Sequence, residues 1–447
     1  MKKLIYLIFT CLGLASCTKD SFVSNFDEKP EERMSESIAL VKNQLTSSAN
    51  GWVATLPTNA GGGYSFYMKF GTNEDLTMFG DLNAATATTS LKSTYRVKAG
   101  LGANLIFDTY SYLAMLTDPN STVFGGVQGT GYKSDVEFTY VRSTTDSIFF
   151  VGKSYRQPLA MVKATAAQKT AYEAGELKNS ADKLTAFFAN TKNPYIEIGT
   201  GANLLKVVVS TNFTNVLASG KRIELSALKD NVVISSKGKF GIGIDGFMIT
   251  AGGLTFEGIT FVKAAWKDAT TLALYDSNNK EYIIKSNPVP IIPLYLSFGF
   301  QSTFPYKRIS ISSTGLPAGV TSGFTAVYNQ MLSLFATSGR SVTSTNFILK
   351  SNSVFTVEVN YLSGTTAFVA SADYNYTKVG DIITLDNNPI GNVNWPTRAV
   401  QIKPLADYML TGPFKIDWVS STNPSVGTLG GLYRTNDLTS FIYGSLL

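Results

Sequence analysis

The sequence predicts a mainly β protein with a few helices, an α+β fold whose antiparallel meander sheets form barrel- or sandwich-like domains. Apolar and polar residues alternate with a period of two in short runs, as at 64–70 and 355–361, which is typical of strands with one buried face. Turns rich in glycine, proline and asparagine separate these runs. Helical periodicity, by contrast, occurs in only a few segments.

Three helical segments are predicted. The first is 30–49, where Pro30 suits the first turn. Its apolar side chains fall on one stripe at i, i+4, i+7 and i+11, and they are Met34, Ile38, Val41 and Leu45. The second is 165–190, interrupted near Gly175, and the third is 324–336.

The strands between these helices are predicted as two antiparallel meanders and a β-rich tail. The strands of the first meander are 64–70, 94–98, 105–109, 136–140 and 147–152. Those of the second are 204–210, 222–225, 232–235, 247–250, 258–262, 271–275 and 282–285. A proline cluster at 287–293 predicts a domain boundary, and the tail beyond it is expected to hold further short strands and turns.

A chain of 447 residues exceeds the usual size of one hydrophobic core and predicts two or three domains. Four successive regions are predicted from the sequence. These are a lipoprotein signal peptide at 1–16, a tether at 17–29, an N-terminal helix-plus-meander region at 30–286 that could divide into subdomains at 30–160 and 194–286, and a C-terminal β-rich domain at 291–447.

The first seventeen residues have the features of a bacterial export signal. Lys2 and Lys3 precede an apolar run at 4–14, which is shorter than the roughly 20 residues that span a bilayer. Small residues then lead into Cys17, in the order Leu-Ala-Ser-Cys. This pattern predicts that Cys17 is lipidated and becomes the first residue of the mature protein. The alternative is an ordinary signal peptide in which Cys17 is incidental.

Composition excludes several classes of function. The chain has no histidine, which excludes Ser-His-Asp and Cys-His triads, His-containing zinc sites and His-ligated haem. The two cysteines are Cys11 and Cys17, so the mature fold would contain no disulfide. Loss of Lys2 and Lys3 leaves 38 − 2 = 36 basic against 32 acidic residues, with no basic block that would predict a nucleic-acid partner. We expect no cofactor and no metal.

Several motif matches are better explained by turns. Residues 241–246 fit G-x-G-x-x-G, but strand and turn residues follow where a dinucleotide site needs a helix. Segments 276–279 and 386–388 resemble oxygen-ligand loops without the EF-hand spacing, and hairpin turns are predicted instead. The spacing Ser-x-x-Lys occurs four times, beginning at Ser180, Ser226, Ser236 and Ser277. The accompanying motifs of a serine nucleophile are missing.

Three carboxylates are the candidates for acid–base chemistry. Asp135 and Glu137 stand two residues apart and would share one strand face, an arrangement that could serve a glycosidase if a partner lay about 5–10 Å away. A solvated face is the favoured interpretation of this pair. Asp108 follows an apolar strand, where a turn or hydrogen-bonding role is favoured over catalysis. No residue is therefore predicted to be catalytic.

A set of short motifs resembles one Bacteroidota lipoprotein family known only as a domain of unknown function. They are Gly-Trp at 51–52, Gly-Gly-Tyr at 62–64, Phe-Tyr-Met-Lys-Phe at 66–70, Ser-Thr-Tyr at 93–95, Phe-Asp-Thr-Tyr at 107–110 and Asp-Val-Glu-Phe at 135–138. The resemblance covers about 20–290. Members are often encoded beside SusC/SusD-type outer-membrane importers, so the resemblance implies a surface accessory lipoprotein and supplies no catalytic residue.

The functional hypothesis follows from the predicted lipid anchor, the excluded catalytic chemistry and the resemblance. We expect a non-enzymatic binding accessory of a SusC/SusD-type nutrient importer, lipid-anchored in the outer membrane at the cell surface. Its ligand would be an oligosaccharide or a peptide, held by some of the many aromatic side chains. An adhesive or structural surface lipoprotein is the main alternative, and a carboxylate-based hydrolase is the weaker one.

Overall fold

The computed structural model describes residues 29–447. The predicted signal peptide, Cys17 and all of the predicted tether except Lys29 lie outside the described residues. The fold is mostly β, with 43% strand and 21% helix, and antiparallel sheets form barrel-like structures, which confirms the predicted fold class. The chain divides into two compact units. One runs to Glu176 without 61–63, and the other contains 61–63 and 177–447.

The first unit is built on a closed eight-stranded barrel. Its strands are β1 (Trp52–Pro57), β2 (Gly63–Phe70), β3 (Asp75–Gly80), β4 (Leu91–Ala99), β5 (Ala103–Phe107), β6 (Glu137–Ser143), β7 (Ser147–Gly152) and β8 (Pro158–Lys163). Its helices are α1 (Pro30–Ser47), α2 (Ala84–Thr88), α3 (Ser121–Phe124) and α4 (Ala166–Glu173). The strands follow in sequence order, and β8 returns to pair with β1, placing Met161 opposite Ala54.

The core of this barrel follows the predicted alternation along β2. Tyr64, Phe66 and Met68 are completely buried, as the period of two requires. The opposite face of β2 is also covered, because the ring of Tyr67 stacks on Tyr172 of α4 at 5.0 Å between centroids. Alternation therefore identified the inner face but did not predict that α4 closes over the outer one.

The predicted helices of the first part of the chain are confirmed. Val41 and Leu45 of α1 are fully buried, and the indole of Trp52 donates a hydrogen bond of 2.9 Å to the Leu45 carbonyl. The second helical segment is divided as expected, with α4 and α5 (Glu176–Asn190) separated by Gly175. This glycine has φ +79°, a conformation that favours glycine at the end of a helix.

The second unit begins with α5 and a nine-stranded sheet, the middle sheet. Its strands are β9 (Tyr195–Ile198), β10 (Leu205–Asn212), β11 (Arg222–Lys229), β12 (Val232–Gly243), β13 (Gly246–Ile249), β14 (Leu254–Phe256), β15 (Ile259–Trp266), β16 (Leu272–Asp276) and β17 (Glu281–Ile283). The pairing order is β17-β16-β15-β13-β12-β11-β10-β9, with β14 beside β15. Tyr195 and Lys285 exchange two backbone hydrogen bonds, which nearly closes the sheet.

A second nine-stranded sheet, the C-terminal sheet, completes this unit. Its strands are β18 (Arg308–Ser312), β19 (Arg340–Leu349), β20 (Val354–Ser363), β21 (Thr366–Val379), β22 (Ile382–Leu385), β23 (Ile390–Gly391), β24 (Phe414–Val419), β25 (Leu429–Arg434) and β26 (Asp437–Leu446). The order is β20-β19-β18-β26-β25-β24-β22-β21-β23, and β20 also pairs with β21. That extra pairing joins eight strands into a ring and leaves β23 outside it.

Three helices accompany the C-terminal sheet: α6 (Phe324–Thr337), α7 (Asn394–Thr397) and α8 (Ala399–Met409). The predicted helix at 324–336 is confirmed by α6. Apart from this helix, only short strands and turns are predicted in the tail, and α8 shows that this is wrong. The helix α8 contains Pro404, a residue type that is unfavourable inside helices. Short 3-10 turns at Ala114–Leu116, Gly201–Asn203 and Leu294–Leu296 complete the described elements.

The predicted boundary at 287–293 falls inside the second unit, between the middle sheet and the C-terminal sheet, and it stays a prediction. Among residues 29–447, no helix combines the length and the apolar character needed to cross a membrane.

Candidate functional site

Each of the three candidate carboxylates has its own partner. Asp108 forms an ion pair with Arg96 of the neighbouring strand β4. Glu137 lies 2.8 Å from the Lys153 ammonium and accepts a hydrogen bond of 2.9 Å from the Asn104 amide. Asp108 therefore has the strand-end role that the sequence favours, and the Glu137 carboxylate is held by a cation and an amide.

The solvated pair predicted for Asp135 and Glu137 is wrong. Asp135 is only 5% exposed and precedes β6, which begins at Glu137. Its two carboxylate oxygens accept the backbone N–H groups of Ser154 at 2.7 Å and Tyr155 at 2.9 Å. The carboxylate thus satisfies two donors of the turn after β7, a contact between residues 19 and 20 positions apart that local alternation does not reveal.

The motif matches are structural as well. Residues 241–246 form the β12–β13 hairpin, where Gly243 lies opposite Gly246, so the predicted turn is confirmed. Ser180 of α5 is buried and donates a hydrogen bond of 2.6 Å to the Gly243 carbonyl. Ser226 and Ser236 lie within β11 and β12. None of these observations supports a serine nucleophile.

One of the two acidic loops differs from its prediction. Segment 276–279 is the predicted β16–β17 turn, in which Asp276 accepts the N–H groups of Asn278 and Lys280, both at 2.9 Å. Segment 386–388 joins β22 to β23, which both pair with β21, so it interrupts one strand and the predicted hairpin turn is wrong. Within 29–447, no group of three or more acidic, cysteine or histidine side chains is placed to hold a metal.

The best candidate for a binding surface is the long connection between β5 and β6, which we name the 108–136 excursion. It contains the turn Ala114–Leu116, the helix α3 and a β-bridge between Val127 and Gly131. Loops longer than about 12–15 residues inside compact domains are commonly functional. The excursion is held to itself by backbone bonds, among them Tyr132 N–H to the Leu116 carbonyl at 2.8 Å.

Aromatic packing fixes the excursion to the barrel. Phe124 and Tyr132 of the excursion meet Tyr64 of β2, and the three pairs of ring centroids lie 5.4 to 5.9 Å apart. Burial raises the pKa of the Tyr132 hydroxyl, opposed by a hydrogen bond with Tyr64. The ring contacts of Phe124 and Tyr132 with Tyr64 therefore attach the excursion to strand β2 of the barrel.

The outer surface of the excursion carries exposed apolar side chains. Tyr110 is 55% exposed, Val123 41% and Val127 37%. Partial burial, followed by the nearby charge of Asp118, raises the pKa of Tyr110, so this phenol is neutral and a hydrogen-bond donor at pH 7. An exposed aromatic ring on a supported loop can stack on a sugar or pack a peptide side chain.

Comparison with known families adds one decisive match. The family described as Domain of unknown function (DUF4302) matches residues 24–271. The chain belongs to this family. Comparison with curated proteins gives no match.

The DUF4302 match covers the first barrel, the excursion and most of the middle sheet, and it ends just before β16. The 108–136 excursion is thus part of the matched region, and the C-terminal sheet lies beyond it. Sequence reasoning assigned no function to this excursion. The available signal was a long stretch without strand or helix period that contains four glycines, which adopt positive φ at 125, 126, 129 and 131.

A depression of about 560 Å³ in the middle sheet is a second, weaker candidate. Apolar side chains including Leu204 and Ile259 line it, together with Lys229 and Glu257. These two charges form an ion pair. The hydrogen bond to Glu257 and its charge raise the pKa of the Lys229 ammonium, so these two charges neutralise each other, and Asp230 adds one further carboxylate to the lining.

Proposed function

We propose that this DUF4302 protein is a non-enzymatic binding accessory of a SusC/SusD-type nutrient importer, lipid-anchored through Cys17 in the outer membrane and exposed at the cell surface. Its ligand is an oligosaccharide or a peptide. The lipid anchor is supported by the order Leu-Ala-Ser-Cys at 14–17, and the importer by the resemblance of the N-terminal motifs.

The observation that carries the binding role is the 108–136 excursion. Its exposed members Tyr110, Val123 and Val127 are displayed on a loop whose inner face is fixed by Phe124 and Tyr132 against the barrel. A supported loop loses little conformational entropy on binding, because its surface is already ordered. Tyrosine supplies both a flat ring and a hydroxyl donor, a combination that suits sugars and peptides alike.

The contacts of the carboxylates favour binding over hydrolysis. A glycosidase needs one carboxylic acid that can donate a proton and a second carboxylate that faces the same bond. Asp108 is paired with Arg96, and Asp135 accepts two backbone N–H groups. Each of these carboxylates is engaged in holding the barrel together.

The binding role is tested with the purified protein against a panel of soluble polysaccharides, by affinity electrophoresis, and against a peptide library. We expect retention by at least one glycan or peptide class, and we expect Tyr110→Ala to weaken it about tenfold, since one aromatic anchor is worth about 1–2 kcal/mol. Phe300→Ala, which alters a 36%-exposed ring outside the excursion, is the control. Ligand binding that Tyr110→Ala leaves intact would remove the excursion as the site.

A different assay distinguishes an adhesive surface protein from the proposed binding accessory. If the protein bound no glycan or peptide but held cells to a host matrix or to one another, the surface-adhesion function would replace the proposal.

Deleting the protein in its host should slow growth on one polymer and leave growth on simple sugars unchanged. Unchanged growth on every glycan and peptide source would contradict the importer role.

The lipid anchor has its own test. Cys17→Ala should abolish labelling of the protein by radioactive palmitate and release it from membranes, because no other residue of the predicted signal offers the required thiol at the cleavage position. The wild-type chain labelled in parallel is the control. Palmitate incorporation that survives Cys17→Ala would contradict the anchor.

A further inference from the structure

One end of the C-terminal sheet displays a second apolar surface, which we name the barrel tip. Its members are side chains that stay exposed although they are large and apolar, namely Phe368, Val369, Ile390, Val393 and Val400. Their exposure ranges from 37% for Phe368 to 84% for Val393. Contiguous apolar surface of this kind marks a contact with another molecule or with a membrane.

Ring stacking and side-chain hydrogen bonds connect the segments that carry the tip. Phe368 stacks on Tyr361 of the adjacent strand, with ring centroids 5.6 Å apart. The side-chain amides of Asn392 and Asn394 both donate to the Val369 carbonyl at 2.9 Å, and these two asparagines flank Val393. The hydrogen bonds hold the segment that carries Ile390 and Val393 beside the exposed end of β21.

Positive charge predominates at this end. Arg398 donates from Nε to the Tyr361 hydroxyl at 3.3 Å, and Arg340 lies opposite Ser363 at the end of the β19–β20 pair. The nearest acids each have a cation of their own. Asp373 lies opposite Ile390 across the β21–β23 pair and is paired with Lys350, and Asp407 of α8 is paired with Lys403.

We propose that the barrel tip binds the surface of a lipid bilayer that contains anionic headgroups. Exposed Phe, Val and Ile side chains enter the boundary between headgroups and acyl chains, while arginines meet the headgroup phosphates. Arg340 and Arg398, which are in excess over these lysine-paired acids, complement a surface of uniform negative charge. This inference concerns contacts made by the folded domain itself and does not rest on lipidation of Cys17 or on the proposed ligand.

A protein partner added as a further strand is disfavoured by the edge of β21. At Val369 and Ser371, where such a strand would bond, three backbone groups are already occupied, namely the Val369 carbonyl and the N–H and carbonyl of Ser371. Asn392 accepts from the Ser371 N–H at 3.2 Å through its side chain and donates its own N–H to the Ser371 carbonyl at 2.9 Å. These bonds take up donors and acceptors that strand addition would require at this part of the edge.

The test uses the chain from residue 18 onward, which retains every described residue and removes the apolar signal and Cys17. Co-sedimentation is measured with vesicles of phosphatidylcholine alone and with vesicles that also contain phosphatidylglycerol. We expect binding to the anionic vesicles and little binding to the neutral ones. Failure to bind either kind of vesicle would overturn the proposal and would leave the glycan and peptide assays unaffected.

Variants locate the contact. The double change Ile390→Ser with Val393→Ser should weaken vesicle binding about tenfold, because it removes two side chains that would leave water. Arg398→Gln should weaken it about fivefold, the effect of one cation near an anionic surface. Val379→Ser, at the other end of β21 and 80% exposed, and Lys237→Gln are the controls and should bind normally.

Two results would assign the tip differently. Equal losses in the tip variants and in the controls would show non-specific adsorption. A concentration-dependent dimer in sedimentation velocity that the Ile390→Ser and Val393→Ser pair abolishes, without any vesicle binding, would make the tip a contact between copies of the chain. Either result contradicts the lipid proposal.

Discussion

The first barrel and the C-terminal sheet each join eight strands in a ring, but they fill it differently. In the first barrel the largest buried side chains on the strands include Tyr64, Phe66 and Phe138. In the C-terminal sheet two helices share the core with the strands. Their buried members are Phe324, Tyr328, Met331 and Phe335 of α6 and Ile402, Leu405, Tyr408 and Met409 of α8.

The two regions also differ in their buried polar groups. The first unit buries Asp81 and Asp135, and each carboxylate accepts backbone N–H groups. The buried polar side chains of the C-terminal sheet are neutral, and they are Ser322, Thr345, Asn346, Thr356 and Ser440. The difference teaches that the first barrel must satisfy buried carboxylates, whereas the core of the C-terminal sheet has neutral polar groups and two apolar helices that must stay docked.

The largest effect should come from undocking a helix of the C-terminal sheet. Phe335→Ala removes a completely buried ring 5.2 Å from the ring of Tyr361, and we expect a loss of about 3–5 kcal/mol in the free energy of unfolding. Denaturant unfolding gives the magnitude, and hydrogen exchange should show lost protection in β18–β26 but not in β1–β8. Gln330→Ala, on the exposed face of α6, should change stability by less than about 0.5 kcal/mol.

An intermediate effect is expected in the first barrel. Asp135→Ala leaves the N–H groups of Ser154 and Tyr155 without their acceptor and should cost about 1–3 kcal/mol. Asp135→Asn keeps one acceptor oxygen and should cost less. Asp146→Ala, at an exposed position, is the control for loss of a carboxylate. If Asp135→Ala were as harmless as Asp146→Ala by thermal unfolding, the role of buried carboxylates in this barrel would be refuted.

The smallest effect should be shared by both regions and appear at alkaline pH. Burial, with the charges of Glu173 and Asp417 respectively, raises the pKa of Tyr67 and of Tyr433 to about 12. An unfolded tyrosine ionises near pH 10, so between about pH 10 and 12 the unfolded chain loses its proton first. The stability that these tyrosines contribute is therefore complete below about pH 10 and lost as pH rises to about 12.

Phenylalanine at either position isolates this contribution. At neutral pH, Tyr67→Phe and Tyr433→Phe should each cost about 1 kcal/mol, because each removes a hydrogen bond to a backbone carbonyl, at 2.8 Å to Asn50 and 2.9 Å to Trp418. The melting temperature of both variants should then fall less steeply between pH 10 and 12 than that of the wild type. Parallel curves for variant and wild type would contradict the assignment.

Much of the fold could be predicted from local patterns. The stripe of α1, the division of 165–190 at Gly175 and the helix α6 all follow from spacing within one segment. Most strands of the middle sheet begin within a few residues of their predicted positions. By contrast, α8 was missed because Pro404 lies inside it, and packing of its apolar face against α6 outweighs the local cost of proline.

The candidate site was far less predictable. Tyr110 and Asp135 stand in sequence contexts of similar polarity, yet one is 55% and the other 5% exposed. What separates them is contact with residues distant in the chain, such as Ser154 and Tyr155 for Asp135. A single sequence carries no local signal for such contacts, so the exposed surface of the excursion could not be identified beforehand.

The sequence by itself determined the mainly β character, most helices and the absence of histidine chemistry, because these depend on composition and on neighbours within a few positions. Tertiary structure alone decided that β8 closes on β1, that Asp135 is buried and that apolar residues such as Phe368 and Val393 remain exposed. The physical reason is that burial and ring closure are properties of pairs of segments. Their free energy comes from water released between surfaces that the chain brings together only when it folds.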